Sequence, residues 1–179
     1  PITTSQFATP DNFTSLANTP KQIVSADFDG DGKTDVAMGY NTGLFISIFK
    51  NQSSPGAVSF AARQDIAAPG GFVDINARDL DGDGKPEIVI INFSGTGSYS
   101  VYKNTSTASI SFAPPVTVAL PAGRTPTNLA MADLNLDGRQ DIIIRGNAPS
   151  NFVTIFQNNV PLVALSITAQ PSDFTACAG

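Results

Sequence analysis

The residues best equipped for chemistry sit in a nine-residue stretch that occurs three times. The copies supply Asp27, Asp29, Asp31, Lys33 and Asp35; then Asp79, Asp81, Asp83, Lys85 and Glu87; then Asp133, Asn135, Asp137, Arg139 and Asp141. Each copy has oxygen-bearing side chains at positions 1, 3, 5 and 9, and Gly32, Gly84 or Gly138 at position 6. Alternate residues of a tightly wound loop point inward, so positions 1, 3 and 5 converge. Glycine at position 6 allows the sharp turn that returns position 9 to the same point. Position 7 is Lys33, Lys85 or Arg139 and can offer a cation only its backbone carbonyl. A set of hard oxygen ligands suits calcium. Without a cation, carboxylates so close repel by roughly 4 kcal/mol per pair near a protein surface. Asp-Gly clusters also make ordinary turns, but three copies at regular spacing favour the metal.

The residues after each loop exclude the EF-hand. That motif needs a bidentate Glu at position 12 and a helix on either side. Position 12 here is Met38, Ile90 or Ile144. The runs Val36-Ala37-Met38, Ile88-Val89-Ile90-Ile91 and Ile142-Ile143-Ile144 are short, apolar and mostly β-branched. They predict buried strands, so the loops join strand to strand.

The elements that must hold the loops are legible in the repeat. The loops begin at Asp27, Asp79 and Asp133, intervals of 52 and 54 residues. A strand enters each loop at 22–26, 73–77 and 128–132, and a more apolar one leaves it. A third strand is predicted at 44–49, 99–102 and 152–156. It ends in Phe49-Lys50-Asn51, Tyr102-Lys103-Asn104 or Phe156-Gln157-Asn158. A fourth begins at Phe60-Ala61 and again at Phe112-Ala113. Four short strands per unit of this length are the pattern of propeller blades, which bury their faces against one another. Phe7-Ala8-Thr9-Pro10 matches the fourth-strand pattern, so the sequence opens on an outer strand at 5–12. Three blades are fewer than the usual four to eight. Three arrangements stand: further blades outside this sequence, association of copies, or an open arc.

Composition agrees with an all-β protein: 179 residues, 41% hydrophobic and 14% charged, with no apolar run as long as a membrane span. Eleven of the fifteen acidic residues occupy the loop positions named above, and the formal net charge is −5. Three calcium ions would bring it to +1. The acidity therefore belongs to the loops, and no basic cluster supports nucleic-acid binding. Histidine is absent, which removes the commonest general base and zinc ligand. Cys177 is the single cysteine and has no internal disulfide partner. The sequence starts at Pro1 with no signal peptide, as a processed or excised piece would.

The loops, their strand context and their period resemble the FG-GAP/VCBS repeats of integrin α-subunit propellers and many bacterial surface proteins. The resemblance covers roughly residues 5–160. Loops one and two match fully, with Glu87 replacing Asp at position 9. Loop three departs at Asn135, which loses a charge, and at Leu136 in position 4. The Phe-Gly and Gly-Ala-Pro signatures are not clearly present, which places the chain nearer the VCBS branch. The resemblance implies a seven-bladed fold, three Ca²⁺ sites and an extracellular or cell-surface setting. Family members bind protein or glycan ligands, serve in adhesion, or act as accessory parts of secreted enzymes. Residues 1–160 are thus expected to hold three blades, with metal loops at 27–35, 79–87 and 133–141. Residues 161–179 are a linker, read equally as the start of an immunoglobulin-like domain or a frayed tail.

Function has three readings. The first is a calcium-stabilised, non-catalytic binding, adhesion or accessory scaffold, completed by further blades or by self-association. The second is an enzyme, for example a polysaccharide lyase. Its candidates Tyr40, Tyr99, Tyr102, Arg78, Arg124, Arg145 and the lysines form no recognisable constellation. The third is a lectin, whose binding loops would be 39–43 and 92–97, Asn- and Gly-rich turns expected to expose Tyr40 and Phe93; the absence of Trp weighs against it. Asn-x-Ser/Thr sequons occur at Asn12, Asn51, Asn92 and Asn104.

Overall fold

The computed structural model describes residues 19–41, 43–93, 97–148 and 150–161. They form eleven strands: β1 (Pro20–Ala26), β2 (Asp35–Tyr40), β3 (Phe45–Phe49), β4 (Gln64–Ala67), β5 (Phe72–Arg78), β6 (Glu87–Asn92), β7 (Ser98–Tyr102), β8 (Val116–Ala119), β9 (Thr125–Ala132), β10 (Asp141–Ala148) and β11 (Phe152–Phe156). No helix occurs among the described residues. The strands make three antiparallel meanders, β1-β2-β3-β4, β5-β6-β7-β8 and β9-β10-β11. Register ties each sheet to its loop. Ala26 pairs with Asp35, Arg78 with Glu87 and Ala132 with Asp141, so the last ladder pair before each loop contains position 9.

The apolar core lies between sheets rather than within one. One cluster joins sheets one and two through Phe28, Ile46, Ile48, Ile88, Ile90 and Tyr102. The second joins sheets two and three through Leu80, Val89, Ile91, Tyr99, Ile142 and Ile144. Strand β6 is buried along its whole length, and its side chains alternate between the two clusters. That explains why Ile88-Val89-Ile90-Ile91 is continuously apolar where a half-exposed strand would alternate. The innermost strands stand side by side, β1 next to β5 and β5 next to β9. Asp74 fastens the second pair: its buried carboxylate accepts the Leu129 N–H at 2.9 Å. This is the all-β architecture of open, blade-like sheets, consistent with part of a larger propeller.

The fourth strands differ from the sequence expectation. At Phe60 and Phe112 the structure has single bridges, to Asn51 and Asn104. Ladder pairing resumes only at Gln64 and Val116. In sheet two Pro114 and Pro115 lie between and have no N–H to contribute. Sheet three has three strands among the described residues. The expected outer strand at 5–12 and the terminal segment with Cys177 lie outside them.

Candidate metal centres

Each loop is wound by its own first acid. Asp27 Oδ1 accepts the N–H of Gly30 at 2.8 Å, and its Oδ2 accepts that of Gly32 at 2.8 Å. Asp79 repeats this with Gly82 and Gly84 at 2.7 and 2.9 Å. Position 5 then takes the N–H of position 7, from Lys33, Lys85 and Arg139 onto Asp31, Asp83 and Asp137, at 2.9, 2.9 and 3.0 Å. The turn needs two left-handed residues. Positions 4 and 6 both have positive φ, at Gly30 (74°) and Gly32 (84°) and again at Gly82 (76°) and Gly84 (84°). The sequence reading recognised only position 6.

Position 9 closes the loop from below. Asp35 is buried and accepts the N–H of Phe28 at 2.9 Å and of Asn51 at 2.7 Å. Glu87 takes those of Leu80 at 2.8 Å and Asn104 at 3.3 Å, and Asp141 those of Leu134 at 3.1 Å and Asn158 at 2.9 Å. Burial raises the carboxyls of Asp35 and Glu87 above the ordinary value, against these hydrogen bonds; Asp29 and Asp81 add repulsion. Asp31 is held low, first by the Lys33 N–H. At Asp83 and Asp137 burial pulls upward, but the position-7 N–H and nearby cations prevail and lower them.

The donor set fits calcium. Oxygens of Asp27, Asp29 and Asp35 lie within 4.8 Å of one another, as do those of Asp79, Asp81 and Glu87. Two oxygens on opposite sides of one Ca²⁺ stand about 4.6–5.2 Å apart, twice the metal–oxygen distance. Asp29 Oδ1 and Asp81 Oδ1 are buried without a hydrogen-bond partner, and the Asp29 side chain is 1% exposed. A buried carboxylate oxygen with no donor is costly unless a cation faces it. Position 3 therefore asks for a positive charge on its open side.

Two lysines already hold the other oxygen, Oδ2, of each position-3 carboxylate. Lys50 pairs with Asp29 and, at 3.1 Å, with Asp31; Lys103 pairs with Asp81 and, at 3.1 Å, with Asp83. Those carboxylates hold both ammonium groups protonated above the ordinary lysine value. The lysines' place in the Phe-Lys-Asn and Tyr-Lys-Asn repeats was visible in the sequence, but their contact with the loops was not.

Loop three is built differently. No three of its carboxylates come as close as those of loops one and two. The Asn135 amide donates to Asp137 Oδ2 at 2.9 Å, and the Arg139 guanidinium pairs with the same carboxylate. Leu136 occupies left-handed position 4 at φ 63°, the only non-glycine among the described residues with positive φ.

The repeated Asn after each third strand links one sheet's loop to the next sheet. Asn104 Nδ2 donates to the Phe28 carbonyl at 2.9 Å, 76 residues away, and Asn158 Nδ2 to the Leu80 carbonyl at 2.8 Å. Both carbonyls belong to position 2 of the preceding loop. The sequence showed the three Asn residues but not this role.

The enzyme and lectin candidates are dispersed. Tyr40, Tyr99 and Tyr102 are buried. Tyr40 donates to Ser47 Oγ at 3.0 Å, and Tyr102 to the Ala67 carbonyl at 3.1 Å, its phenol pushed up to about 12 by burial. The expectation of an exposed Tyr40 is thus corrected: it ends β2 with its ring 5.1 Å from that of Phe45. Arg124 covers the Phe152 ring at 4.2 Å, and Arg78 bonds the Ala77 carbonyl at 2.9 Å. Arg145 is exposed within β10. Phe93 is exposed, while Thr42 and residues 94–96 of the proposed ligand loops lie outside the described residues. The amides of Asn92 and Asn104 are buried and hydrogen-bonded, which closes those two sequons to a glycan.

The model of the FG-GAP-like repeat matches residues 27–90 and 79–144, so both matches start on the first aspartate of a loop. No curated protein matches the chain.

Proposed function

Because the chain belongs to the FG-GAP-like repeat family, we propose that it is a calcium-stabilised binding or adhesion module, or an accessory scaffold, of a secreted or cell-surface protein, without catalysis of its own. The observation that carries this reading is the pair of buried, unpartnered oxygens Asp29 Oδ1 and Asp81 Oδ1 inside triads of converging carboxylates. Asp27, Asp29, Asp31 and Asp35 hold one ion, with the Lys33 carbonyl. Asp79, Asp81, Asp83 and Glu87 hold the second, with the Lys85 carbonyl. Asp133, Asn135, Asp137 and Asp141, with the Arg139 carbonyl, make a third and weaker site. Calcium supplies charge neutralisation and rigid coordination. The chain's own residues wind the loops, exclude water from position 9 and pass the loop's position to the next sheet through Asn104 and Asn158.

An extracellular setting suits this role, since sites of extracellular modules bind calcium at about 10⁻⁴–10⁻³ M. The described residues contain no helix long and apolar enough to cross a membrane. The partner is a protein or glycan engaged by the loops and sheet faces. The experiment is thermal melting with 10 mM calcium against excess chelator, paired with calorimetric counting of sites. At those affinities each site adds about 1.4–2.7 kcal/mol, so two strong sites raise Tm by roughly 6–20 °C. Equal melting temperatures under the two conditions refute the proposal.

A further inference from the structure

We propose that the outer face of sheet three is the docking site for the first sheet of a second copy of this chain, joined head to tail. The repeat itself describes the contact, because equivalent faces meet twice inside the chain. At the first junction Phe28, Ile46 and Ile48 of sheet one are buried beneath sheet two. At the second, Leu80, Tyr99 and Val101 of sheet two lie against sheet three. The counterparts on sheet three are Leu134, Val153 and Ile155, and they are 49%, 66% and 56% exposed. Their residue types are those of a buried junction, yet nothing among the described residues covers them.

The opposite end of the chain presents the complement. Ile88 and Ile90 of sheet two, and Ile142 and Ile144 of sheet three, pack against the preceding sheet. Their counterparts on sheet one are Val36 and Met38, only partly buried. Asn51 corresponds to Asn104 and Asn158, whose amides reach the position-2 carbonyl of the preceding loop. Asn51 Nδ2 donates within its own sheet, to the Thr34 carbonyl at 2.8 Å, as Asn104 Nδ2 does to Pro86 at 3.1 Å. Its other N–H is the one that Asn104 directs across the junction. The carbonyl of Leu134 is the matching acceptor.

A groove marks where the second copy's leading segment belongs. At the first junction the chain leading into β8 fills the space beside sheet one. Phe112 sets its ring 5.6 Å from that of Phe28, and Gln64 Nε2 donates to the Ile110 carbonyl at 3.2 Å. The same place at the second junction is a groove of about 460 Å³, lined by Leu80, Tyr99, Val116, Val118 and Phe156. It lies beside β11, where sheet three has no fourth strand among the described residues. Phe7 and Phe13 match Phe112 and Val118 in the repeat, so residues 7–14 carry the sequence of that strand. Residues 15–19 then connect to β1, a length comparable to the four residues between β4 and β5 and the five between β8 and β9. Such a link spans one junction. Residues 7–14 of a second copy thus reach the groove when that copy's sheet one covers Leu134, Val153 and Ile155. The interface is heterologous: two copies close a ring if the rotation permits, and more copies form larger rings or filaments.

The test is sedimentation equilibrium of the whole chain in calcium, with Val153→Lys/Ile155→Lys and Phe7→Asp beside it. Both lysine substitutions sit at positions exposed in the single chain, and a far-UV circular-dichroism spectrum of V153K/I155K matching that of the unsubstituted protein confirms that its fold is intact. The expected result is a mass of at least twice 18.6 kDa that returns to a single chain in V153K/I155K and falls in F7D. A single-chain mass for the unsubstituted protein overturns the proposal and leaves this face to repeats of a longer polypeptide. An assembly unaffected by V153K/I155K also overturns it. None of these outcomes depends on the number of calcium sites.

Discussion

Replacing Asn104 by Ala tests whether the sheets are joined through their acidic loops. The side chain is 1% exposed and makes three hydrogen bonds: Nδ2 to the carbonyls of Phe28 and Pro86, and Oδ1 from the N–H of Ser106. Alanine removes all three and leaves buried groups unsatisfied. At about 1 kcal/mol per net bond the loss is ~3 kcal/mol. A domain of this size shifts by about 2–4 °C per kcal/mol, so Tm falls by roughly 6–12 °C in circular-dichroism melts with calcium present. Asn104→Asp isolates the junction, because it keeps the acceptor for Ser106 and places a carboxylate against two carbonyl oxygens. Burial raises the introduced carboxyl above the ordinary value of about 3.9. Its penalty is therefore full at neutral pH and fades as pH falls through the raised folded value toward the unfolded one. A loss under 2 °C for N104A, or N104D as stable as the parent at pH 7, would falsify the coupling.

Three further outcomes rest on the loop geometry. Leu136→Gly relieves a left-handed non-glycine, worth about 1–2 kcal/mol in the fold, partly offset by about 0.5–1 kcal/mol of added chain entropy; a slightly higher melting temperature in chelator is expected, and a lower one contradicts the strain at φ 63°. Lys50→Gln and Lys103→Gln remove the cations nearest position 3, so calcium titrations by calorimetry shift to lower concentration at loops one and two, and an unchanged midpoint refutes competition. In chelator, the raised carboxyls of Asp35 and Glu87 take up protons on the folded protein before the unfolded chain does. Their contribution to stability therefore falls as pH rises from the ordinary carboxylate value through the raised one. Calcium held as proposed needs these groups ionised, so the Tm gain from calcium should be larger at pH 7 than at pH 5; a gain that grows on acidification refutes the proposed ligand set.

Strand positions were legible because the repeat prints them three times and because a sheet buried on both faces needs an unbroken apolar strand such as Ile88 to Ile91. The convergence of the loop carboxylates was legible because side chains at positions 1, 3 and 5 report loop winding directly. Position 4 was harder to read. Gly30 and Gly82 resemble ordinary turn residues until Leu136, at the same backbone angle, shows what the position demands. The lysine contacts and the Asn links arise from pairs of residues tens of positions apart, such as Phe28 with Asn104, and no local period encodes which partner a polar side chain meets. Tyr40 misled because its Asn- and Gly-rich neighbours resemble a surface turn, whereas packing against Phe45 and a bond to Ser47 draw it inside.

Strand β6 has a consequence for how the molecule opens. Its amides lie in the middle sheet, shielded by a core cluster on each face. Each sheet leans only on its neighbours, so opening should begin at the ends and move inward, with energies that accumulate along the row. In the single chain, the form expected of V153K/I155K, deuterium uptake is then slowest in residues 88–91 and fastest along β11, and loss of the first or third sheet leaves the middle one with half its shielding.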